Sequence, residues 1–492
     1  MFSNLEKLSL IKLKKYLPLV LLLLVAFFLR LPSFFETHWY FDEGLYSLFG
    51  KSIIKGEIPY LYIWDHKPIG MYLIYAFCYL LPFDILLGAK ILAFISCFTS
   101  SILLYLIAKQ SFNAKIAFIA ALIFAVMSSL PFFDGNQANG EVFFLPLVLL
   151  SIYLIQPFTN KITKYKLVIA GFSLATAFFI KQVAGIDLIL ILFLLTFKKG
   201  SFLKHVFYLF LGLALTSLVI LSINLALGSP FKEIWFSNIT FNLSYVVSRK
   251  IGILFTVFKI LLLAITFLLI FFKERLPYVP ILLWFLVDSI AVLAGGQPYP
   301  HYLIQVMPIS SLIIALYISK NYHAKLIKYL GAILITFFLF IPLNSYFRFI
   351  SYGDVFKEWD YYSSFTKSAT NIDKNAFNDL FSKRWGIDRN KKVVSYLNSI
   401  SSENDSVYIW GGGTTTWLYY DLDRRLPSRY ISFLHIEAIP KAQNETIKTL
   451  TSNEPKFILS TPHPTFKTMS NLIEDNYTPV NVIDDMTIYK LN

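Results

Sequence analysis

The chain has 492 residues, 56% of them hydrophobic and 15% charged, with a mean hydropathy of +0.60. Soluble domains carry about 25% charged residues, so composition excludes an ordinary soluble protein and indicates one built for a membrane. The formal net charge of +14 does not mark a nucleic-acid binder: no soluble module interleaves basic and aromatic residues, and the lysines gather in loops on one predicted side of the bilayer.

The apolar runs are long and do not alternate, which predicts helices rather than a barrel. The N-terminal stretch MFSNLEKLSLIKLKKYLPLVLLLLVAFFLR has the basic front and apolar run of a signal peptide. Arg30, Leu31 and Pro32 stand where a small-residue cleavage site would be, so a retained first helix is expected. Spans are predicted at about 18–34, 85–108, 116–132, 141–156, 167–182, 184–197, 203–227, 252–272, 277–295, 302–319 and 328–345, eleven in all. Lys7, Lys12, Lys14 and Lys15 place the N-terminus on the cytoplasmic side. With them, the loops expected inside carry 17 basic residues, against 7 in the short outer loops (Lys51, Lys55, Lys67, Lys181, Lys232, Arg249 and Lys250).

Residues 68–83, PIGMYLIYAFCYLLPF, are apolar but short and bounded by prolines. As a span they would invert every later loop. A helix lying in the outer interface is therefore expected, with a short true span as the alternative. The odd count puts residues 346–492 outside. There DSVYIWGG, YISF, KFILS and MTIYKLN are predicted strands and TTTWLYYDL a helix, giving a small α/β domain, with 350–392 as a linking segment. The expected division is a membrane domain, 1–345, whose outer loop 35–84 carries an acidic motif, and an extracytoplasmic domain, 346–492. No internal repeat is found. Cys78 and Cys97 lie in apolar segments and imply no disulfide framework.

With sides assigned, the reactive groups collect on the outer face: Asp42-Glu43, Asp65-His66-Lys67, Asp134 and Glu141 in FFDGNQANGE, Lys181-Gln182, Arg249-Lys250, and His301-Tyr302 in GGQPYPHY. Acids and bases at one end of a bundle suggest a site there. Each also has a plainer role. Asp42-Glu43 could cap a helix starting at Gly44, or act as general base, metal-ligand pair or proton relay. Lys67 could snorkel, Lys181 could anchor an interface, and His301 could be a satisfied interface histidine. Asp288, inside a span, is best read as a helix–helix hydrogen bond. Trp39, Tyr40 and Trp64 suit the membrane interface. No H-E-x-x-H, Walker loop, G-x-S-x-G or G-x-G-x-x-G is present, so a nucleotide donor is unsupported.

The stretch FDEGLYSLFGKSIIKGEIPYLYIWDHKPIGMYL resembles the first outer loop of the GT-C glycosyltransferases, in particular the protein O-mannosyltransferases and the lipid A aminoarabinose transferases. Its parts are an acidic pair with Gly and Tyr, a G-x-x-P-Y stretch, then an acid and K-P. NQANGEVFFLPL, IKQVAGI and GGQPYPHYLIQVMP follow in the same order, and DSVYIWGGGTTTWLYYDLDRRLPSRY is similar to the outer domain of bacterial members. One departure is Ile69, where the family has a second proline.

The resemblance implies a GT-C-like membrane fold and transfer of a sugar from a polyprenyl-phosphate donor to an acceptor lipid, glycan or protein at the outer face of the plasma (inner) membrane. It implies Asp42 as the base for the acceptor hydroxyl, with Glu43 positioning it. Lys67, Lys181, Arg249 and Lys250 would hold the donor phosphate. Asp65, His66, Glu141, His301 and Tyr302 would meet sugar or acceptor. A divalent ion near the phosphate is an open option without a convincing ligand set. Two other classes compete. A transporter or lipid flippase predicts ionisable groups midway through the spans and two related halves; only Asp187 and Asp288 answer to that. A receptor or assembly protein leaves the acids and lysine of the first loop unexplained.

Overall fold

A computed structural model of the chain describes residues 2–156, 161–243, 278–294, 299–319, 325–340, 358–412, 414–439, 441–462 and 466–492. Contacts divide these residues into two compact units, each assembled from three stretches: within Met1–Phe34, Lys90–Val219 and Arg249–Tyr362 for the first, and within Phe35–Ala89, Ile220–Ser248 and Ser363–Asn492 for the second. The packing units are therefore interleaved along the chain, whereas the polar tail begins at one point in the sequence.

The first unit is helical. Ten of the eleven predicted spans carry a described helix: Phe2–Arg30, Ile85–Lys109, Ala114–Met127, Gly140–Ile155, Lys164–Ile180, Asp187–Leu195, Phe202–Ala226, Val279–Ala294, Met307–Ile318 and Lys325–Phe340. The span predicted at 252–272 lies outside the described residues. Three segments, Tyr16–Phe35, Ile85–Lys109 and Phe202–Ala226, are long and apolar enough to cross a membrane; at 1.5 Å per residue, 25 residues reach about 37 Å, more than a hydrocarbon core of about 30 Å. On Phe202–Ala226, Leu203, Phe207, Leu211, Leu215 and Leu218 recur every three or four residues and are all exposed. Water would not tolerate such a stripe, and lipid would. The same helix meets Lys164–Ile180 through glycines. A Cβ on Gly171 would stand 2.1 Å from the Leu209 carbonyl oxygen, and one on Gly212 2.1 Å from that of Val168, so only hydrogen lets the two backbones touch.

The second unit holds helices Phe41–Ile54 and Ile69–Tyr79 and, in its C-terminal part, a four-stranded sheet. Eleven residues span about 16 Å, so Ile69–Tyr79 is too short to cross a bilayer. The sheet comprises β1 (Val407–Trp410), β2 (Phe457–Ser460), β3 (Tyr477–Ile483) and β4 (Met486–Leu491), in the order β1-β2-β4-β3. β1 and β2 are parallel, which requires the helical crossover between them; β4 pairs antiparallel with both β2 and β3. Trp64, between those two helices, is buried in the same core as Tyr408 and Trp410 of β1, Ile458 of β2 and Tyr430.

Several expectations are corrected. Residues 430–433 are not a strand: they run extended into helix Phe433–Ala438, and the neighbouring Arg429 carbonyl takes a single backbone bond from Trp64 (3.0 Å) in place of a ladder. The stretch expected as a linker contains helices Glu358–Ala369, Ala376–Trp385 and Ile387–Ile400. Aromatics four apart, Tyr361 with Phe365 and Phe377 with Phe381, make its pattern amphipathic rather than loose, and Phe377 packs on both Phe365 and Phe381. Strand β3 was not expected; it is a mostly exposed edge strand containing Pro479. Trp39, Tyr40 and Trp64 are core residues, exposed by 1%, 3% and 0%, so neither the bilayer interface nor a sugar ring is what Trp39 and Trp64 pack against. Trp39 meets Phe381 and Trp385; Trp64 meets Phe236, Phe241 and Tyr430.

Candidate active site

The groups singled out in the sequence fall into two sets, one in each unit. In the second unit, helix Phe41–Ile54 starts at Phe41 with Tyr40 as its N-cap. Asp42 and Glu43 are therefore inside the first turn rather than at the cap position. The positive end of the helix favours carboxylates there. Glu43 is fully buried and Asp42 partly so. Helix Thr415–Leu422 holds this turn in place: Thr416 Oγ1 donates to the Phe41 carbonyl at 2.9 Å and Trp417 Nε1 to that of Tyr40 at 2.8 Å. Gly44 allows the approach, since a Cβ there would lie 2.5 Å from Thr416 Oγ1.

Asp65 is the centre of a cluster. Its Oδ2 accepts from the Tyr72 hydroxyl (2.8 Å) and faces Lys67 Nζ at 3.9 Å. Its Oδ1 accepts from the His66 backbone N–H (2.7 Å) and faces His66 Nδ1 (2.9 Å) and His435 Nε2 (3.4 Å). Burial works to raise the Asp65 carboxyl, but Lys67 and then His66 hold it well below the usual carboxylate range. Burial pushes the His435 imidazole down to about 4 against the pull of Asp65, so it is neutral at pH 7. Lys67 does not snorkel: it is buried, with its ammonium 5.0 Å from the centre of the Tyr46 ring as well as near Asp65. Pro68 caps helix Ile69–Tyr79, so the departure at Ile69 falls on the first helical position, where proline is favoured but not required.

In the first unit, Glu141 sits in the first turn of Gly140–Ile155, 1% exposed. Lys181 leaves the end of Lys164–Ile180 in an extended conformation, pairs with Glu141 Oε1, and lies 4.5 Å over the Tyr302 ring. His301 Nδ1 is 2.9 Å from Asp134 Oδ2, both buried; His301 is thus a satisfied histidine, and Asp134 sits in a left-handed turn after Pro131–Phe133. A small cavity is lined by Glu141, Val183, Ala291, Val292, Tyr302 and Gln305. Gln305 Nε2 donates to Asp187 Oδ2 at 2.8 Å, and Asp187 and Asp288 are both buried. Arg249 and Lys250 lie outside the described residues.

Two polar residues escaped the sequence reading. Lys90, 1% exposed, donates to the Asn136 carbonyl at 2.9 Å; a lysine inside an apolar span is a signal that could have found it. His435 carried no signal, because only the fold brings it to Asp65.

Residues 65–226, about a third of the chain, match the family model described as dolichyl-phosphate-mannose-protein mannosyltransferase. Comparison with curated proteins finds no match. Among solved structures, the chain is similar to ArnT from Cupriavidus metallidurans bound to undecaprenyl phosphate, at 11% identity and a TM-score of 0.54, covering 96% of this chain and 97% of that one. It is similar to the same protein in the apo state at 13% identity and a TM-score of 0.53, with the same coverage. At such identities the likeness speaks for architecture: the chain is a helical membrane protein with the GT-C-like fold of ArnT along nearly its whole length.

Proposed function

We propose that the chain is an integral-membrane glycosyltransferase. It moves a sugar, a hexose such as mannose or a pentose, from a polyprenyl-phosphate donor to an acceptor hydroxyl on a lipid, glycan or protein. The observation that carries this is the ArnT-like fold over 96% of the chain, in a chain whose first outer loop supplies a helix-start acid pair and a buried lysine. The structure similar to it holds undecaprenyl phosphate, and residues 65–226 match a family described by a dolichyl-phosphate sugar donor; both motivate the lipid-phosphate donor.

Asp42 takes the proton of the acceptor hydroxyl as its oxygen attacks the anomeric carbon. Glu43, in the same helical turn, positions Asp42. The bond from that carbon to the phosphate oxygen breaks, and the electron pair leaves with polyprenyl phosphate. Attack opposite the leaving group inverts the anomeric centre. A lipid phosphate is a weak base, so it needs charge neutralisation rather than an acid; Lys67 supplies it. Asp65 and His66, beside Lys67, meet sugar or acceptor. The N-terminus lies in the cytoplasm, residues 1–345 form the catalytic membrane domain, and residues 346–492 form a domain on the outer face of the plasma (inner) membrane.

The test is turnover of a panel of radiolabelled polyprenyl-phosphate hexoses and pentoses by the full chain in nanodiscs, with the anomeric configuration of any product read by NMR. Release of polyprenyl phosphate with inversion is expected for one donor class. Retention of configuration would overturn the single-displacement mechanism, and inertness towards every donor would overturn the transferase.

A further inference from the structure

Helix Thr415–Leu422 meets the acid-pair helix Phe41–Ile54 at both ends, and the two ends are built differently. At the far end, Lys51 Nζ donates to the Tyr420 carbonyl at 3.2 Å, and Lys51 and Lys55 reach Asp423 at 3.1 and 2.7 Å. Lys55 and Asp423 are exposed, so water screens their pair and the geometry is loosely fixed. At the near end both donors are fully buried and both end on backbone. Thr416 Oγ1 meets the Phe41 carbonyl and Trp417 Nε1 that of Tyr40.

A carbonyl oxygen is one corner of a planar peptide unit. The Phe41 oxygen and the Asp42 nitrogen share one plane, and the Tyr40 oxygen lies in the plane before it. Holding two consecutive planes fixes the Phe41 torsions between them, and with them the direction in which the chain enters Asp42. The Tyr40 oxygen also accepts the helix bond from the Gly44 N–H at 3.1 Å, so Trp417 adds to the turn's own bonding. The indole is itself braced. The His38 ring stacks on it at 3.9 Å and 8°, and His38 Nδ1 lies 3.0 Å from Asp421 Oδ1 of the same helix. One eight-residue helix thus holds residues 38, 40 and 41, immediately before the acid pair.

Resting on the transferase reading above, we propose that Thr416 and Trp417 are positioning residues for Asp42. They act through its backbone, and they make this C-terminal helix part of the catalytic apparatus. A general base works only within hydrogen-bond reach of the proton it takes, and a misplacement of about 1 Å can cost about 10²-fold in rate. Lys67, the phosphate contact, lies on another stretch of chain. Loosening the turn therefore lowers kcat and leaves KM for the donor unchanged.

The experiment compares wild type with Thr416→Val, Thr416→Ser, Trp417→Phe and Lys55→Gln, each as the full chain in nanodiscs at matched folded fraction. The substrate is a radiolabelled polyprenyl-phosphate sugar that wild type turns over. Thr416→Val deletes only the hydroxyl, and Trp417→Phe deletes the N–H while keeping a ring beside His38. Each is expected to lower kcat about 10-fold at unchanged KM, with Thr416→Ser close to wild type. Lys55→Gln cuts the far end of the same helix pair and should keep the wild-type kcat. If Trp417→Phe fails to fold, the two Thr416 variants make the comparison alone. Hydrogen exchange adds a readout without substrate: in Thr416→Val the amides of residues 44–46 should exchange faster, while those of β1 and β2 stay as in wild type. A wild-type kcat in folded Thr416→Val, a loss shared by Thr416→Ser, or a rise in KM alone would overturn the positioning role. A wild type inert towards every donor would instead fail the transferase reading; unchanged exchange in Thr416→Val would then overturn the hold on the turn by itself.

Discussion

The two units bury charge in different ways. In the first, two acids of the candidate site each face one base: Glu141 faces Lys181 and Asp134 faces His301. In the second, one carboxylate, Asp65, gathers Tyr72, Lys67, His66 and His435. Helices surrounded by lipid have no water to share a charge with, so acid and base are matched pair by pair. The second unit, built around the stretch between helices Phe41–Ile54 and Ile69–Tyr79 and a sheet, concentrates several donors on one acceptor. Such a cluster tolerates losing a member.

The sharpest way to break this contrast is to remove one partner on each side. Lys181→Met leaves the Glu141 carboxylate buried without its base and should destabilise the protein by about 3–5 kcal/mol, with Glu141→Gln in the same chain recovering most of it. Thermal unfolding in detergent decides; a Lys181→Met melting temperature equal to wild type would end the pairwise account. His66→Gln in the second unit removes one of four partners and should cost only about 0.5–1.5 kcal/mol.

Between these lies a steric test of how the acid pair is held. Gly44→Ala forces a Cβ towards Thr416 Oγ1 and the Trp417 ring and should destabilise by about 1–3 kcal/mol, as overpacking does. Its activity should fall further than its stability, because Asp42 moves with the turn. Activity that merely tracks the folded fraction would show that the turn's position does not matter.

The smallest expected effect concerns His38, which lies against Asp421 (3.0 Å) and Asp84 (3.6 Å) and stacks on Trp417. Burial alone would lower it, but Asp421 and Asp84 raise it to about 9. An unfolded histidine titrates near 6.5. The stabilisation is therefore complete below about pH 6.5 and is lost as pH rises through about 9. His38→Gln should lower stability at pH 6 by on the order of 1–2 kcal/mol, allowing for the partly exposed aspartates, and the gap should close by about pH 10. A gap independent of pH would assign the effect to packing on Trp417.

How much of this was legible depends on range. Helix positions came from apolar runs, because each run needs only its own residues to bury its backbone bonds. The acid pair was located, but its place in the helix was not: a start at Gly44 was one option, whereas Phe41 begins the helix, with residues 415–422 gripping the carbonyls of Tyr40 and Phe41. Trp39 and Trp64 looked interfacial because their packing partners lie hundreds of residues away. Residues 430–433 have the β-branched and aromatic character of a strand but find no partner strand. His435 is the clearest case, a lone histidine in a polar tail whose chemistry exists only beside Asp65.

The central claim, that the acid pair and the lysine of the first outer loop transfer a lipid-linked sugar, is tested most directly by one side-by-side measurement. Polyprenyl phosphate release would be followed for wild type, Asp42→Asn and Lys67→Ala at matched folded fraction. The account predicts a fall of about 10²–10⁴ for Asp42→Asn and of about 10²–10³ for Lys67→Ala. Equal rates in all three proteins would contradict it.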